Sequence, residues 1–387
     1  MTISRGFPAA EFEARLENAQ RRMAAAGLDL LLLTTEPDVR YFSGFLTQFW
    51  QSPTRPWFLL VPAKGKPVAV IPGIGAPAMA RTWIEDIRTW SSPNPEDEGL
   101  SLLAETVREL AGETARIGLP SGPETHLRLP LAEYDRLRAM LPDATFRDDA
   151  GIVRALRIVK SEAEIAKIAA ACDLVSGVFE DWFGWLAPGM SEQEIFRRFK
   201  IACLEAGADD VSYLVGGAGS GGYGDIISPP SERKVRDGDV LILDTGTLLD
   251  GYFCDFDRNY AIGAPSEAVA AAYRTVYAAT EAGLAAARPG ATCADLFRAM
   301  ADVLSSDGAA AGNVGRIGHG LGTVLTEWPS ITADDKTELV PGMVMTLEPG
   351  LEYAPGKMMV HEENIVIRAD GAELLTRRAP GEIPVVR

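Results

Sequence analysis

Histidine is scarce in this 387-residue sequence: His126, His319 and His361 are the only three. Any mechanism that needs two or three imidazoles therefore has few candidates. Cysteine is nearly as rare. Cys172, Cys203, Cys254 and Cys293 are scattered with no CxxC pair, which excludes a disulfide frame or a zinc knuckle and reads as reduced, buried thiols of a cytoplasmic protein. No apolar run approaches the ~20 residues of a membrane span, so no membrane partner is expected. The stretch Met1 to Pro8 lacks an apolar signal core, which argues against export by that route. Basic charge is short as well: 37 Lys and Arg face 54 Asp and Glu, for a net charge of −17. A duplex binder needs a basic face, so nucleic acid is not an expected partner either.

What is present is ordinary globular composition, 47% hydrophobic and 24% charged, with length for two or three domains and a sizeable core. The first ~150 residues alternate helix and strand signals, the pattern of an α/β layer domain. Phe12 to Ala26 has helical apolar spacing and stops at Gly27. Leu28–Thr34, Trp57–Val61 and Pro67–Ile71 are apolar runs of strand length; helices are expected near Ser101–Ala111 and Leu131–Met140, with loops over Ser91–Gly99. The texture changes after Asp149. Ser161 with Glu164, and Ser191 with Glu194, are capping signatures ahead of amphipathic helices. A Gly-rich stretch, Gly216–Gly224, reads as a flexible substrate-pocket loop with Tyr223 lining the pocket; it lacks the Gly-Lys-Ser/Thr ending of a phosphate loop. The second half reads as α+β, with the boundary near 150–160.

The chemistry concentrates in that second half. Two strand-like runs flank Asp250-Gly251, a strong hairpin signal. With the turn centred between Leu249 and Asp250, residues whose numbers sum to 499 face each other, which sets Asp244 opposite Asp255. Two carboxylates facing each other within apolar strands need a cation between them, a metal or a nearby Arg258, unless one is solvated at the strand edge. Further on, Gly318-His319-Gly320 puts an imidazole in a close-packed turn. Thr346-Leu347-Glu348-Pro349-Gly350 ends an apolar strand on a carboxylate, and His361-Glu362-Glu363 sits inside a strand pattern. Two Asp, one His and two Glu at positions that otherwise want Val or Ile suit Mn, Fe, Co or Zn, usually as a bridged pair.

These residues carry a resemblance. An Asp, another eleven residues later, then Gly-His-Gly, then Glu-Pro-Gly, then a Glu fourteen residues on is similar to the pita-bread metalloenzyme family of aminopeptidase P, prolidase, methionine aminopeptidase and the metal-free creatinase. The resemblance covers the whole chain. It implies an α/β creatinase-like N-terminal domain over 1–155 and an α+β pita-bread catalytic domain over 156–387. It also implies two divalent metal ions, held by Asp244, Asp255, His319, Glu348 and Glu362, with Asp255 and Glu362 bridging, and a cytoplasmic homodimer.

The sequence departs from the peptidase pattern at three positions. Ile227 and Thr326 stand where the peptidases carry substrate-contacting histidines, and Asp257 replaces a threonine. Glu348 is the candidate base near an attacking hydroxide, and Asp257 the candidate proton donor to a leaving group; a salt bridge to a nearby Arg is the alternative for Asp257. The cluster Phe45, Phe49, Trp50 and Trp57 with Arg55 resembles the segment that reaches a neighbour's site in creatinase-like dimers, making Trp50 and Arg55 candidate substrate contacts; ordinary core packing is the alternative. His361 is expected to hydrogen-bond behind Glu362. The implied function is metal-assisted hydrolysis of a C–N bond in an Xaa-Pro dipeptide or a small zwitterion. The alternatives are a metal-dependent lyase on a zwitterion such as dimethylsulfoniopropionate, and a non-catalytic binding member.

Overall fold

The computed structural model describes residues 4–52, 55–306 and 315–387. The chain divides into two compact units, Ser4–Arg157 and Ile158–Arg387.

In the first unit the strands β1 (Leu30–Leu33), β2 (Phe58–Pro62), β3 (Val68–Pro72), β4 (Asp86–Trp90), β5 (Arg116–Leu119) and β6 (Thr145–Asp148) form one sheet in the order β4-β3-β2-β1-β5-β6. The unbroken leucines of β1 have a simple cause: the strand is covered on both faces. Leu31 and Leu33 enter one core with Leu59, Val61 and Met23, while Leu30 and Leu32 enter a second with Phe58, Leu60 and Val107. The helix Ala9–Ala26 lies over the first core and ends where Gly27 turns left-handed at φ 64°. Trp50 belongs to that same core. It is 8% exposed, its ring lies 5.6 Å from Trp57 and 6.5 Å from Phe45, and Arg128 covers it at 5.2 Å.

The second unit opens on the helix Glu162–Asp181. Its start carries the expected reciprocal cap: Ser161 Oγ accepts from the Glu164 amide while the Glu164 carboxylate accepts from the Ser161 amide. The helix Glu192–Glu205 is capped by Ser191 in the first of these two ways. The strands β7 (Asp210–Ser220), β8 (Asp239–Leu249), β9 (Tyr252–Phe253), β10 (Phe256–Ile262) and β18 (Val385–Val386) form one sheet in the order β18-β10-β8-β7, with β9 paired to β8. A second sheet has the order β12-β11-β13-β16-β17, from β11 (His319–Gly320), β12 (Glu327–Ser330), β13 (Val344–Leu347), β16 (Glu363–Arg368) and β17 (Gly371–Leu374). The hairpin β14 (Gly350–Ala354) and β15 (Lys357–Val360) joins β13 to β16 in sequence. The helices Glu267–Ala286 and Cys293–Ser306 share their apolar core with β13 and β16.

Two expectations are corrected here. Gly216 to Ser220 is not a flexible loop but the end of β7, laddered to β8 with Gly216 opposite Leu243 and Ser220 opposite Asp239. Glycine is required there because a Cβ on Gly216 would fall 2.5 Å from the Ile242 carbonyl oxygen. Secondly, the hairpin register differs from the one expected. Leu249 pairs with Tyr252, so the two-residue turn is Asp250-Gly251 itself, with both residues left-handed at φ 49° and 82°. Facing residues therefore sum to 501 rather than 499, and β10 presents Asp257, not Asp255, opposite Asp244. The primed turn matches the twist of the flanking strands, and it places the left-handed pair inside the loop.

Candidate metal centre

Each acidic candidate stands on or beside a strand. Asp244 lies within β8, Asp257 on β10, and Asp255 in the break between β9 and β10. His319 opens β11, Glu348 follows β13, and Glu362 fills the step between β15 and β16. Asp255 is held without a ladder partner. Its amide donates to Asn364 Oδ1 at 2.9 Å, and the Asn364 side-chain amide donates back to the Asp255 carbonyl. One β16 side chain thereby does for Asp255 what a neighbouring strand would do.

The imidazole is pre-set for ligation. His319 Nδ1 lies 2.8 Å from the Gly320 carbonyl, which can only accept, so the ring proton sits on Nδ1 and the lone pair on Nε2. Nε2 faces Asp255 Oδ2 at 3.4 Å and Glu348 Oε2 at 3.7 Å. Burial lowers the His319 pKa to about 4, keeping the ring neutral. Asp255, His319 and Glu362 offer ligand atoms that all lie within 4.8 Å of one another.

The electrostatics are those of buried carboxyl groups crowded together. Burial, then repulsion from Asp257 and Glu348, pushes the Asp244 carboxyl well above the ordinary range. Asp255 and Glu362 are raised likewise, by burial and by the neighbouring carboxylates. Burial takes Glu348 up to about 7 against the opposing pull of Arg316. Asp244 Oδ1, Asp255 Oδ1 and Glu362 Oε1 are buried and accept no hydrogen bond. Three orphaned carboxylate oxygens together would cost several kcal/mol if charged. Such an oxygen-rich donor set with one imidazole fits divalent metal ions.

Behind the cage lies a charged cluster that does not compete for these oxygens. Arg258 pairs with Glu363 at 3.1 Å rather than with Asp244 or Asp255, and touches Asp257 only through its backbone carbonyl. Arg378 reaches Glu363 at 3.0 Å, and Thr376 also donates to it. Burial alone would raise Glu363, but Arg258, the His361 ring, Thr376 and Arg378 hold it at about 2. His361 accepts from Arg378 and stacks on Tyr277 at 5.8 Å, so its partner is that guanidinium and not Glu362 as expected.

The substrate candidates separate. Tyr223 is buried in the core: it is 3% exposed, and its hydroxyl donates to Asn259 and accepts from the Val360 amide. Ile227 is 74% exposed in a turn whose amides are held by Asp225. Thr326 is touched by Arg316, whose guanidinium lies 3.5 Å from Thr326 Oγ1 and 3.7 Å from Glu348 Oε1. In the first unit Arg55 lies over the Phe49 ring at 5.2 Å, and Trp50 is core. Glu327, beside Thr326, is fixed by Lys160 at 3.2 Å and by the amides of Thr323 and Val324. Tyr213, Arg316, Asn364 and Arg378 are site residues that spacing alone did not indicate. Tyr213 stands opposite Gly246 on the β7–β8 ladder, two residues along β8 from Asp244, and works against the rise in the Asp244 pKa.

Residues 166–369 match the model for metallopeptidase family M24, and residues 15–159 match that for the creatinase/prolidase N-terminal domain. A probable dipeptidase PepE of Mycobacterium bovis is 32% identical over 99% of both chains. The crystal structure of dipeptidase PepE from Mycobacterium ulcerans aligns with a TM-score of 0.84 at 30% identity, covering 98% of this chain and 99% of that one. A recombinant prolidase from Thermococcus sibiricus aligns at 0.86 with 25% identity, covering 97% and 99%.

Proposed function

The chain belongs to metallopeptidase family M24, and on that premise we propose that this metallohydrolase is a dipeptidase cutting the C–N bond of Xaa-Pro-type dipeptides. The observation that carries the proposal is the set of three orphaned, buried carboxylate oxygens beside an imidazole already in its ligating tautomer. The lyase and binding-member readings find no support among relatives named for dipeptidases and prolidases.

In this reading Asp244, Asp255, His319, Glu348 and Glu362 would hold two divalent ions, Mn, Fe, Co or Zn. Such ions supply Lewis acidity for the scissile carbonyl and lower the pKa of an attacking water. The chain's own residues do the rest. Glu348 is the more exposed of the two acids facing His319 Nε2, its side chain at 22% against 5% for Asp255, and receives the water's proton on a carboxylate oxygen. Asp257 returns a proton to the leaving amine; its Oδ1 already accepts from the Glu362 amide at 3.3 Å, which fixes it against the cage. The low-exposure walls around Asp255 and Glu362 exclude bulk water and strengthen each of these interactions. A cytoplasmic homodimer is part of the same proposal.

The test is an assay of metal-reconstituted protein on Xaa-Pro dipeptides, other dipeptides, tripeptides and dimethylsulfoniopropionate. Turnover confined to dipeptides supports the reading. Acrylate release from dimethylsulfoniopropionate without peptide hydrolysis overturns it.

A further inference from the structure

We propose that Arg316 is the specificity-determining residue of this site, receiving the free carboxylate of the substrate's C-terminal residue; this rests on the dipeptidase reading. Asp244, Asp255, Asp257, Glu348 and Glu362 crowd the site with five carboxyl groups, and the charge of two divalent ions would be taken up by those that hold them. An anionic substrate end entering there needs a cation of its own.

The cations nearest the cage are committed. Lys160 is buried against Glu327 at 3.2 Å. Arg258 and Arg378 are both bound to Glu363, itself fully buried. Arg316 differs. Its two polar neighbours, Thr326 Oγ1 at 3.5 Å and Glu348 Oε1 at 3.7 Å, stand at or beyond the edge of hydrogen-bond reach, and 36% of its side chain is exposed. Once Glu348 gives its charge to a metal, the guanidinium has donors left for a ligand.

The backbone beside it is anchored. The next residue, Ile317, donates its amide to the Ile331 carbonyl at 3.0 Å and accepts from the Glu348 amide at 3.2 Å. The backbone therefore holds Arg316 at a fixed offset from a proposed metal ligand. A planar guanidinium offers two parallel donors to a carboxylate, which a point charge does not. That offset measures out a short substrate: one end bound at the cage, the other at Arg316.

The experiment compares Ala-Pro with its C-terminal amide on metal-loaded wild type, Arg316→Met and Arg316→Lys, with metal content measured on each. The expected result is a strong wild-type preference for the acid. In Arg316→Met the KM for Ala-Pro rises about 10- to 100-fold, far more than kcat falls, as loss of a charge-assisted contact implies. The acid-over-amide preference vanishes, and Arg316→Lys restores part of it. An unchanged preference in Arg316→Met, or an equal kcat loss on acid and amide, overturns the assignment. Calorimetry with L-proline and L-prolinamide separates this from the wider reading. If no dipeptide is cleaved, the dipeptidase proposal fails, while a proline preference lost in Arg316→Met still sustains Arg316. Wild type that binds proline no better than prolinamide refutes it.

Discussion

Asp257 stands directly opposite Asp244 across the β8–β10 ladder, two carboxyl groups facing each other on neighbouring strands. Like charges in facing positions destabilise a sheet. Here the arrangement persists inside a unit where Asp257 is 1% exposed. The pairing is relieved if Asp244 gives its charge to a cation.

Replacing Asp257 with Asn tests its proposed acid role. The amide keeps the shape and can still accept from the Glu362 amide through its oxygen. Turnover on a dipeptide is expected to fall roughly 10²- to 10⁴-fold, the usual worth of a positioned proton donor, while metal content by elemental analysis stays at the wild-type level. Unchanged turnover, or loss of metal, would remove Asp257 from the acid role.

Asn364 is the second target, because it replaces a strand partner for Asp255. Asn364→Ala deletes both hydrogen bonds to the Asp255 backbone. Metal affinity measured by competition with a chelator should weaken about 10- to 100-fold, the usual effect of losing an outer-sphere support. The fold should survive, as judged by circular dichroism.

Glu363 gives a pH-dependent prediction with a definite sign. Its folded pKa, about 2, lies below the ordinary 4.5. The unfolded chain therefore binds the extra proton first, and stability from this group is complete above about pH 4.5 and lost as pH falls towards 2. The shift corresponds to roughly 3 kcal/mol. Glu363→Gln should flatten that acid limb in chemical denaturation. At pH 7 it should also cost about 3–5 kcal/mol, because Arg258 and Arg378 are left buried with one fewer charge to answer them.

Much of this was legible in the sequence, and the failures have physical causes. The capping pairs Ser161/Glu164 and Ser191/Glu194 announce their helices because a cap is a local interaction, complete within four residues. The leucines of β1 read as a buried strand for the same reason: both faces are apolar. The hairpin was visible, but its register was not. Asp250 takes the left-handed conformation together with Gly251, and placing the turn one residue early moved Asp255 opposite Asp244 in the expectation. Tyr223 reads as a pocket residue because glycines surround it. The ladder instead carries Gly216, Gly217 and Gly219 into β7, and the tyrosine beyond its end lies in the core. Arg316 and Arg378 could not be read from spacing, since a long cation's partner is set by tertiary approach and not by its sequence neighbours.

The central claim is that the buried carboxylates around His319 form a two-ion cage. Elemental analysis of tag-free protein, for Mn, Fe, Co and Zn per chain, tests it most directly, alongside Asp244→Ala. The account predicts about two equivalents per chain in the wild type, as a bridged-pair ligand set implies, and a clear loss in the variant. A folded wild-type chain that holds almost no metal, and takes up none when ions are added, would contradict it.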